Sequence, residues 1–280
     1  MTGKDSGHRE ARQHVLRYCR GQPLQSADDR LAPEEPLEIR IRARPISVTM
    51  RTPGHDEDLA VGFLLTEGVI QSAEDIVKIE APERAGGFNL INVFLRPEVR
   101  FDLGRLTRHV FASSSCGLCG AATIEQVHKQ FPPVESGLRI PIQTVLALPD
   151  TLRAAQDEFA ATGGMHAAGL FDAQGKLLIV REDVGRHNAV DKVLGHALRH
   201  GPWPAAEHSL MVSGRASFEI MQKALAARIP IVCAVSAPSS LAAEFAQRSG
   251  QTLVGFLREG RLNAYAHQQR LEIQRDDALE

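Results

Sequence analysis

The sequence predicts an α/β protein: a layered C-terminal domain on a largely parallel sheet, preceded by a smaller β-rich N-terminal domain. Three observations carry the prediction. From about residue 150 onward, strand-like runs alternate with helix-like runs. Runs such as "PIVCAV" and "LLIV" are apolar at successive residues, as strands buried on both faces are. In the first half, "LEIRIRARPISVTM" alternates instead, with Leu37, Ile39, Ile41 and Ala43 on one face and Glu38, Arg40, Arg42 and Arg44 on the other. That is the pattern of a half-buried strand.

In chain order, residues 1–35 are polar, end in "APEEP" and are expected to form a flexible tail. After the alternating strand, Thr52-Pro53-Gly54 makes a turn, and acidic residues open a helix with Leu59, Phe63 and Leu64 as its apolar stripe. Gly68 closes that helix. "FNLINVFLR" reads as a strand, and the proline-containing stretch 131–145 as a linker. A helix is expected from Asp150 to Ala161, ending at Gly163-Gly164. "MHAAGLF" and "KLLIVRE" are strands joined by a turn at Asp172–Gly175. "HNAVDKVLGHALRHG" is helical, with Val190, Val193, Leu194 and Leu198 on one face and Gly201 as its stop. Then come "SLMVSG" (strand), "ASFEIMQKALAAR" (helix), "IPIVCAVS" (strand), "SSLAAEFAQRSG" (helix) and "TLVGFLREG" (strand). The expected domains are 36–140, an α+β unit carrying a two-cysteine loop, and 141–268, the α/β unit, with a charged tail at 269–280.

Composition narrows the function classes. The chain has 280 residues, 43% hydrophobic and 24% charged, with a net charge of −2, ordinary for a globular protein and without the basic excess of a nucleic-acid or membrane-surface binder. Four cysteines are too few for a disulfide framework. The N-terminus has no apolar signal core, and no run is long enough to span a bilayer. A cytoplasmic protein with reduced thiols is expected, with no nucleic-acid or membrane partner.

Three strand-to-helix junctions are rich in small residues and arginine. They are Gly185-Arg186-His187-Asn188, then Ser213-Gly214-Arg215 with Ser217, then Ser236, Pro238, Ser239 and Ser240. In α/β sheets, ligands collect where strands end and helix N-termini present free N–H groups. Each junction alone reads equally as an ordinary helix cap. Two arginine-bearing junctions in one domain point to an anionic, phosphate-bearing ligand. Asp183 and Glu182 orient Arg186 or cap the helix that follows. His166 reads as a structural histidine beside a buried strand, and Cys233 as a packing residue; Cys19 has no assigned role.

Cys116 and Cys119 lie in "FASSSCGLCGAATI", followed by a helix carrying Ile124 and Val127. Serines and glycines make the flanks accessible, and a helix N-terminus lowers a thiol pKa. A buried structural role does not suit this setting. Three roles stay open: a metal site, disulfide exchange, or sulfur transfer. Zinc takes four ligands and this pair supplies two, with His109 and His128 at an uncommon spacing. Disulfide exchange of the thioredoxin kind wants a strand just before the pair, and "DLGRLTRHVFASSS" is not one. Sulfur transfer needs an exposed low-pKa thiolate that carries a persulfide.

The segments "SSSCGLCG", "TGGMHAAGLF", "REDVGRHNAVDKVLG", "VSGRASFEIMQKA", "IPIVCAVSAPSSLA" and "GFLREGRLNAY" occur in that order. With them the chain resembles the FdhD family of formate dehydrogenase accessory sulfurtransferases across most of residues 45–265. The resemblance implies a sulfur carrier that takes persulfide sulfur from a cysteine desulfurase. The carrier passes it to the molybdenum cofactor, bis-molybdopterin guanine dinucleotide, bound as substrate before insertion into formate dehydrogenase. It implies catalysis through a persulfide on Cys116 with Cys119 as partner. It also implies cofactor binding by Phe256, Leu257, Arg258, Glu259, Gly260 and Arg261, alongside Arg186, His187, Ser213, Gly214 and Arg215 from the junctions. A homodimer and a C-terminal domain resembling the cytidine deaminase fold follow from the same likeness. Zinc deaminases need H-x-E and P-C-x-x-C; here Ala167 and Ala168 follow His166, so neither a catalytic zinc nor any structural metal is expected. The competing reading is a chaperone that holds the cofactor without sulfur chemistry.

Overall fold

The computed structural model describes residues 11–82, 89–102 and 120–273. Where the sequence predicts a tail, strands β1 (Ala11–Arg17) and β2 (Gln25–Leu31) form an antiparallel ribbon. The pairing is held locally: Val15 sits opposite Ala27, and His14 and Arg17 reach Asp28 and Asp29 at 3.1 and 3.7 Å. With so few apolar positions, the ribbon leaves no alternation to read.

The alternating segment is two strands rather than one. β3 (Glu35–Ile41) and β4 (Arg44–Arg51) pair antiparallel around Arg42 and Ala43, whose φ values are 49° and 65°. Two left-handed residues make the tight hairpin turn that Asn-Gly usually supplies, so the turn was invisible in the residue types. Leu37, Ile39 and Ile41 are fully buried, as their alternation predicts. Helix α1 (Asp56–Thr66) follows, and Gly68 ends it at φ 68°. β5 (Ile76–Glu80) and β6 (Asn89–Leu95) complete a sheet of order β4-β3-β6-β5, in which β3 and β6 are parallel.

Helix α2 (Gly120–Gln130) is followed by a stretch that is anchored rather than a free linker. The Val134 N–H donates to the Ser249 carbonyl at 2.8 Å, and Val134 is buried. The helix expected over 150–161 is two pieces. α3 (Ile142–Ala154) starts earlier and contains Pro149; α4 (Asp157–Thr162) ends at Gly163 with φ 69°. β7 (Ile140–Pro141) precedes α3.

The remaining elements match the expected alternation. They are β8 (His166–Phe171), β9 (Leu177–Asp183), α5 (Arg186–His200), β10 (Ser209–Val212), α6 (Phe218–Ala226), β11 (Ile231–Ala234), α7 (Ser240–Ser249) and β12 (Thr252–Arg258). Two strands follow, β13 (Arg261–Ala266) and β14 (Leu271–Glu272), the latter pairing with β7. The sheet order is β13-β12-β11-β10-β8-β9. Only β10–β11 and β11–β12 are parallel, so the sheet is mixed, not largely parallel. The reason is local: β8–β9 and β12–β13 are hairpins, and a hairpin forces antiparallel pairing. "LLIV" lies on the edge strand β9, where Leu178 is exposed, while "IVCA" in β11 is buried on both faces.

Helices α1, α5, α6 and α7 share one apolar cluster with Leu37 and Ile39 of the first sheet and Leu170 and Leu210 of the second. Within it, α1 packs on β6 of the first sheet and α5 on β8 and β9 of the second, so this helix pair lies between the two sheets. On the second sheet's other face, α3 covers Phe171, Met211, Cys233 and Leu257 through Val145, Leu148 and Leu152. The contact of α1 with α5 is unusually close. A Cβ on Gly62 would lie 1.8 Å from the Asp191 carbonyl oxygen, and one on Gly195 1.9 Å from that of Asp58. Only glycine fits at either position.

Candidate functional site

Strand direction decides what meets at one end of the six-stranded sheet. β9, β10, β11 and β12 finish there, and β8 and β13 begin there. The three small-residue junctions, His166 and the β12–β13 turn therefore share one end. Backbone bonds stitch them together. Ser213 donates its N–H to the Ala167 carbonyl and accepts the Ala167 N–H on Oγ, both at 2.9 Å. Ser236 N–H donates to the Gly214 carbonyl at 3.3 Å, Phe256 N–H to the Ser236 carbonyl at 3.2 Å, and Ser239 N–H to the Ala216 carbonyl at 3.0 Å. Ser217 and Ser239 cap α6 and α7 through their hydroxyls, so the ordinary capping role and the junction role coincide.

Arg186, His187, Ser213 and Gly214 are brought together. A Cβ on Gly214 would stand 3.4 Å from His166 Nδ1 and 4.0 Å from Arg186 Cδ, so the glycine leaves the space between those side chains open. Arg186 Nε is buried and has no hydrogen-bond partner among the described residues. A buried donor in that state is costly unless a ligand meets it. His187 Nε2 lies 3.0 Å from Glu219 Oε2 and 3.3 Å from Ser217 Oγ, which links the starts of α5 and α6. His187 holds Glu219 below the ordinary carboxylate range through this bond. Burial, then the nearby Arg186 charge, pushes His166 below the usual histidine range. His166 is a partly covered wall residue of the site.

Arg215 is exposed on the same loop. The segment Phe256–Arg261 is split by its geometry. Phe256 and Glu259 have φ values of 50° and 54°; with Gly260 at 68°, Glu259 makes the tight two-residue turn between β12 and β13, and Phe256 lies where the strand register shifts. Arg258 and Arg261 face each other across the turn and are exposed, with Arg261 Nη2 2.9 Å from Glu259 Oε2. The Leu257 side chain is fully buried in the core under α3, away from this rim. Cys116, Cys119 and His109 lie outside the described residues. His128, which the sequence offered as a possible metal ligand, instead stacks on Phe245 with ring centroids 5.5 Å apart and bonds Ser249 Oγ at 2.9 Å. Among the described residues no group of three or more His, Cys, Asp or Glu side chains is placed to hold a metal ion. None of their helices is long and apolar enough to cross a membrane.

Several residues around the site escaped the sequence reading. Glu182 does cap a helix, but the wrong one was expected: its carboxylate accepts the Glu158 and Phe159 N–H groups at the start of α4. Asp183 does steady the Arg186 loop, accepting the Gly185 N–H at 2.8 Å and Asn188 Nδ2 at 3.0 Å. Glu219 and Thr52 had no sequence signal, because each acts on a distant partner, His187 and Asp183 respectively, and Lys192 gave none because its buried partners lie on other elements, Asp183 at the end of β9 and Thr52 after β4.

The family model described as the FdhD/NarQ family matches residues 32–272. The chain belongs to that family. A protein called "Sulfur carrier protein FdhD" in Nocardia farcinica is 50% identical over 95% of this chain and 96% of its own length. One with the same name in Streptomyces avermitilis is 46% identical over 94% of this chain and 95% of its own. A crystal structure of a protein described as a formate dehydrogenase accessory protein, from Desulfotalea psychrophila, superposes with a TM-score of 0.74 at 26% identity, covering 94% of this chain and 99% of that one. The mixed sheet and its inter-sheet helices are thus the fold of an FdhD-type accessory protein.

Proposed function

We propose that this FdhD-family protein is a sulfur carrier that serves formate dehydrogenase, moving sulfur from a cysteine desulfurase to a molybdenum cofactor bound as substrate. The observation that supports the reading best is the sheet end that gathers Arg186, His187, Ser213, Gly214 and Arg215 around two helix N-termini. Bis-molybdopterin guanine dinucleotide carries pyrophosphates, and such groups bind where free N–H donors and guanidinium forks converge. The buried, unpartnered Arg186 Nε is the donor most in need of that partner.

The sulfur chemistry rests on Cys116. Its thiolate attacks the outer sulfur of the donor's persulfide; the donor S–S bond breaks, a new S–S bond forms on Cys116, and the donor leaves as a thiolate. Delivery as sulfide needs two electrons. Cys119 supplies them by attacking the Cys116 sulfur and closing a disulfide, which releases hydrosulfide toward molybdenum. A thiol reductant then reopens the pair for another turn. We also read the protein as a cytoplasmic homodimer whose C-terminal layer has a deaminase-like frame without deaminase chemistry, since Ala168 stands two residues after His166, where a zinc deaminase carries its acid–base glutamate.

Peptide mass spectrometry after incubation with a cysteine desulfurase and cysteine tests the proposal. One added sulfur atom on the peptide holding Cys116 is expected. An unmodified peptide alongside an active desulfurase would replace the sulfur carrier with a cofactor-holding chaperone.

A further inference from the structure

The loop that carries Arg186 and His187 is fastened to the N-terminal sheet by a compact set of buried bonds. Asp183, fully buried, uses both carboxylate oxygens. Oδ1 accepts the Gly185 N–H at 2.8 Å and Asn188 Nδ2 at 3.0 Å, both from the ligand loop. Oδ2 meets Lys192 Nζ at 2.7 Å and accepts the Thr52 N–H at 3.2 Å. Lys192 is 1% exposed and also donates to the Thr52 carbonyl at 2.8 Å. Thr52 Oγ1 accepts the Val184 N–H at 3.1 Å, so all three polar groups of Thr52 are spent on this seam. Asn188 closes it from the ligand side: Nδ2 donates to the Met50 carbonyl at 2.8 Å, and Oδ1 accepts from Thr49 Oγ1 at 3.4 Å. The bonds that cross from this loop and helix α5 to residues 49–52 join partners 131 to 140 positions apart in sequence.

A buried ion pair with every lone pair occupied has two states, closed or badly broken, because either partner left alone is a desolvated charge. We propose that Asp183 and Asn188 are positioning residues that clamp the Arg186–His187 loop to strand β4 and the turn before helix α1, so that loosening one side loosens the other. This rests on the reading of the sheet end as an anion site. The clamp acts through Arg186 and His187 and does not itself touch ligand. It holds the donors in place for the ligand, and it carries the loaded or empty state of the loop to the N-terminal sheet, whose strand β6 precedes the segment bearing Cys116.

The test uses the full-length protein, its Asn188→Ala variant and, as a second variant that keeps the shape of the buried side chain, Asp183→Asn. Amide hydrogen exchange is followed in peptides covering 48–54 and 183–190, with β10–β11 as the reference, and GDP affinity is measured in parallel. Asn188→Ala should speed exchange in both peptides together, leave the reference unchanged and weaken GDP binding by about tenfold, as expected for three lost side-chain hydrogen bonds at an organising position. Addition of GDP to the wild type should slow exchange in both peptides. Faster exchange in 183–190 alone would overturn the clamp, as would unchanged GDP affinity in a variant whose two peptides had loosened. Should the wild type bind no GDP, the anion-site reading fails by itself, and the paired exchange in Asn188→Ala still decides whether the two segments are coupled.

Discussion

Arg186 and Arg215 differ in what their loss should cost. Arg186 is partly covered and has a buried nitrogen without a partner, while Arg215 stands in solvent. Charge-assisted hydrogen bonds contribute more when water is excluded. Arg186→Ala should therefore weaken GDP binding by roughly tenfold or more, and Arg215→Ala by less, at unchanged thermal midpoint. Equal affinity of both variants and the wild type in a titration would remove the two arginines from the site. The cysteines divide in the same way. Burial pushes the Cys233 thiol up to about 12, so it should resist alkylation until the chain is unfolded, whereas exposed Cys19 should react in the native state. Cys116→Ala should abolish activation of formate dehydrogenase, and a variant that still activates fully would refute the persulfide route. The junction residues were legible singly, as small residues beside arginine. Leu257 shows where such reading ends: a run of six neighbours was assigned one role, but strand alternation turns one of them into the core.

At the scale of elements, the crossing of α1 over α5 depends on two glycines. Helix interiors disfavour glycine by about 1 kcal/mol relative to alanine, so Gly62 and Gly195 look like weak points in the sequence. The tertiary structure reverses that judgement, because each lets the facing carbonyl approach to a distance no Cβ permits. Gly62→Ala should destabilise by about 3 kcal/mol or more, since the clash is with backbone and cannot be relieved by a rotamer. Urea unfolding would show it as a lower midpoint at unchanged slope; a midpoint equal to the wild type would mean that the helices separate freely. The β3–β4 hairpin teaches the converse. Periodicity found the residues that face the core, but the turn at Arg42-Ala43 has no turn-forming residue types, so the segment read as one strand.

For the whole molecule, the balance of buried titratable groups sets the response to acid. Asp58 is held by Arg181 and Arg199 at 3.1 and 2.6 Å and by His196 at 3.1 Å. Burial alone would raise its pKa, but the bonds from Arg181 and Arg199 prevail and hold it below the ordinary carboxylate range. His55 and His196 are lowered, first by burial and then by the Arg181 charge. The signs agree. A histidine whose folded pKa lies below its unfolded value of 6.5 gives its full stabilisation above that pH and loses it as pH falls toward the folded value. Asp58 adds its own loss lower, once pH falls through its depressed pKa. Thermal midpoints should drop from pH 7.5 to pH 5.5, and His196→Asn should make the drop shallower. Identical midpoints at the two pH values would contradict this.

The sequence by itself determined most of the helices and strands of the second half, the inward faces of β3 and α5, and the three junctions that make up the candidate site. These are local properties: a period of two or 3.6, a capping residue, a glycine stop. Only the tertiary structure decided that the sheet is mixed, that the junctions and the β12–β13 turn share one end, and that Thr52 and Asn188 lock the N-terminal sheet to the ligand loop. Those outcomes depend on strand direction and on contacts across more than a hundred residues, and a local period carries no information about which distant segment will complete a buried bond.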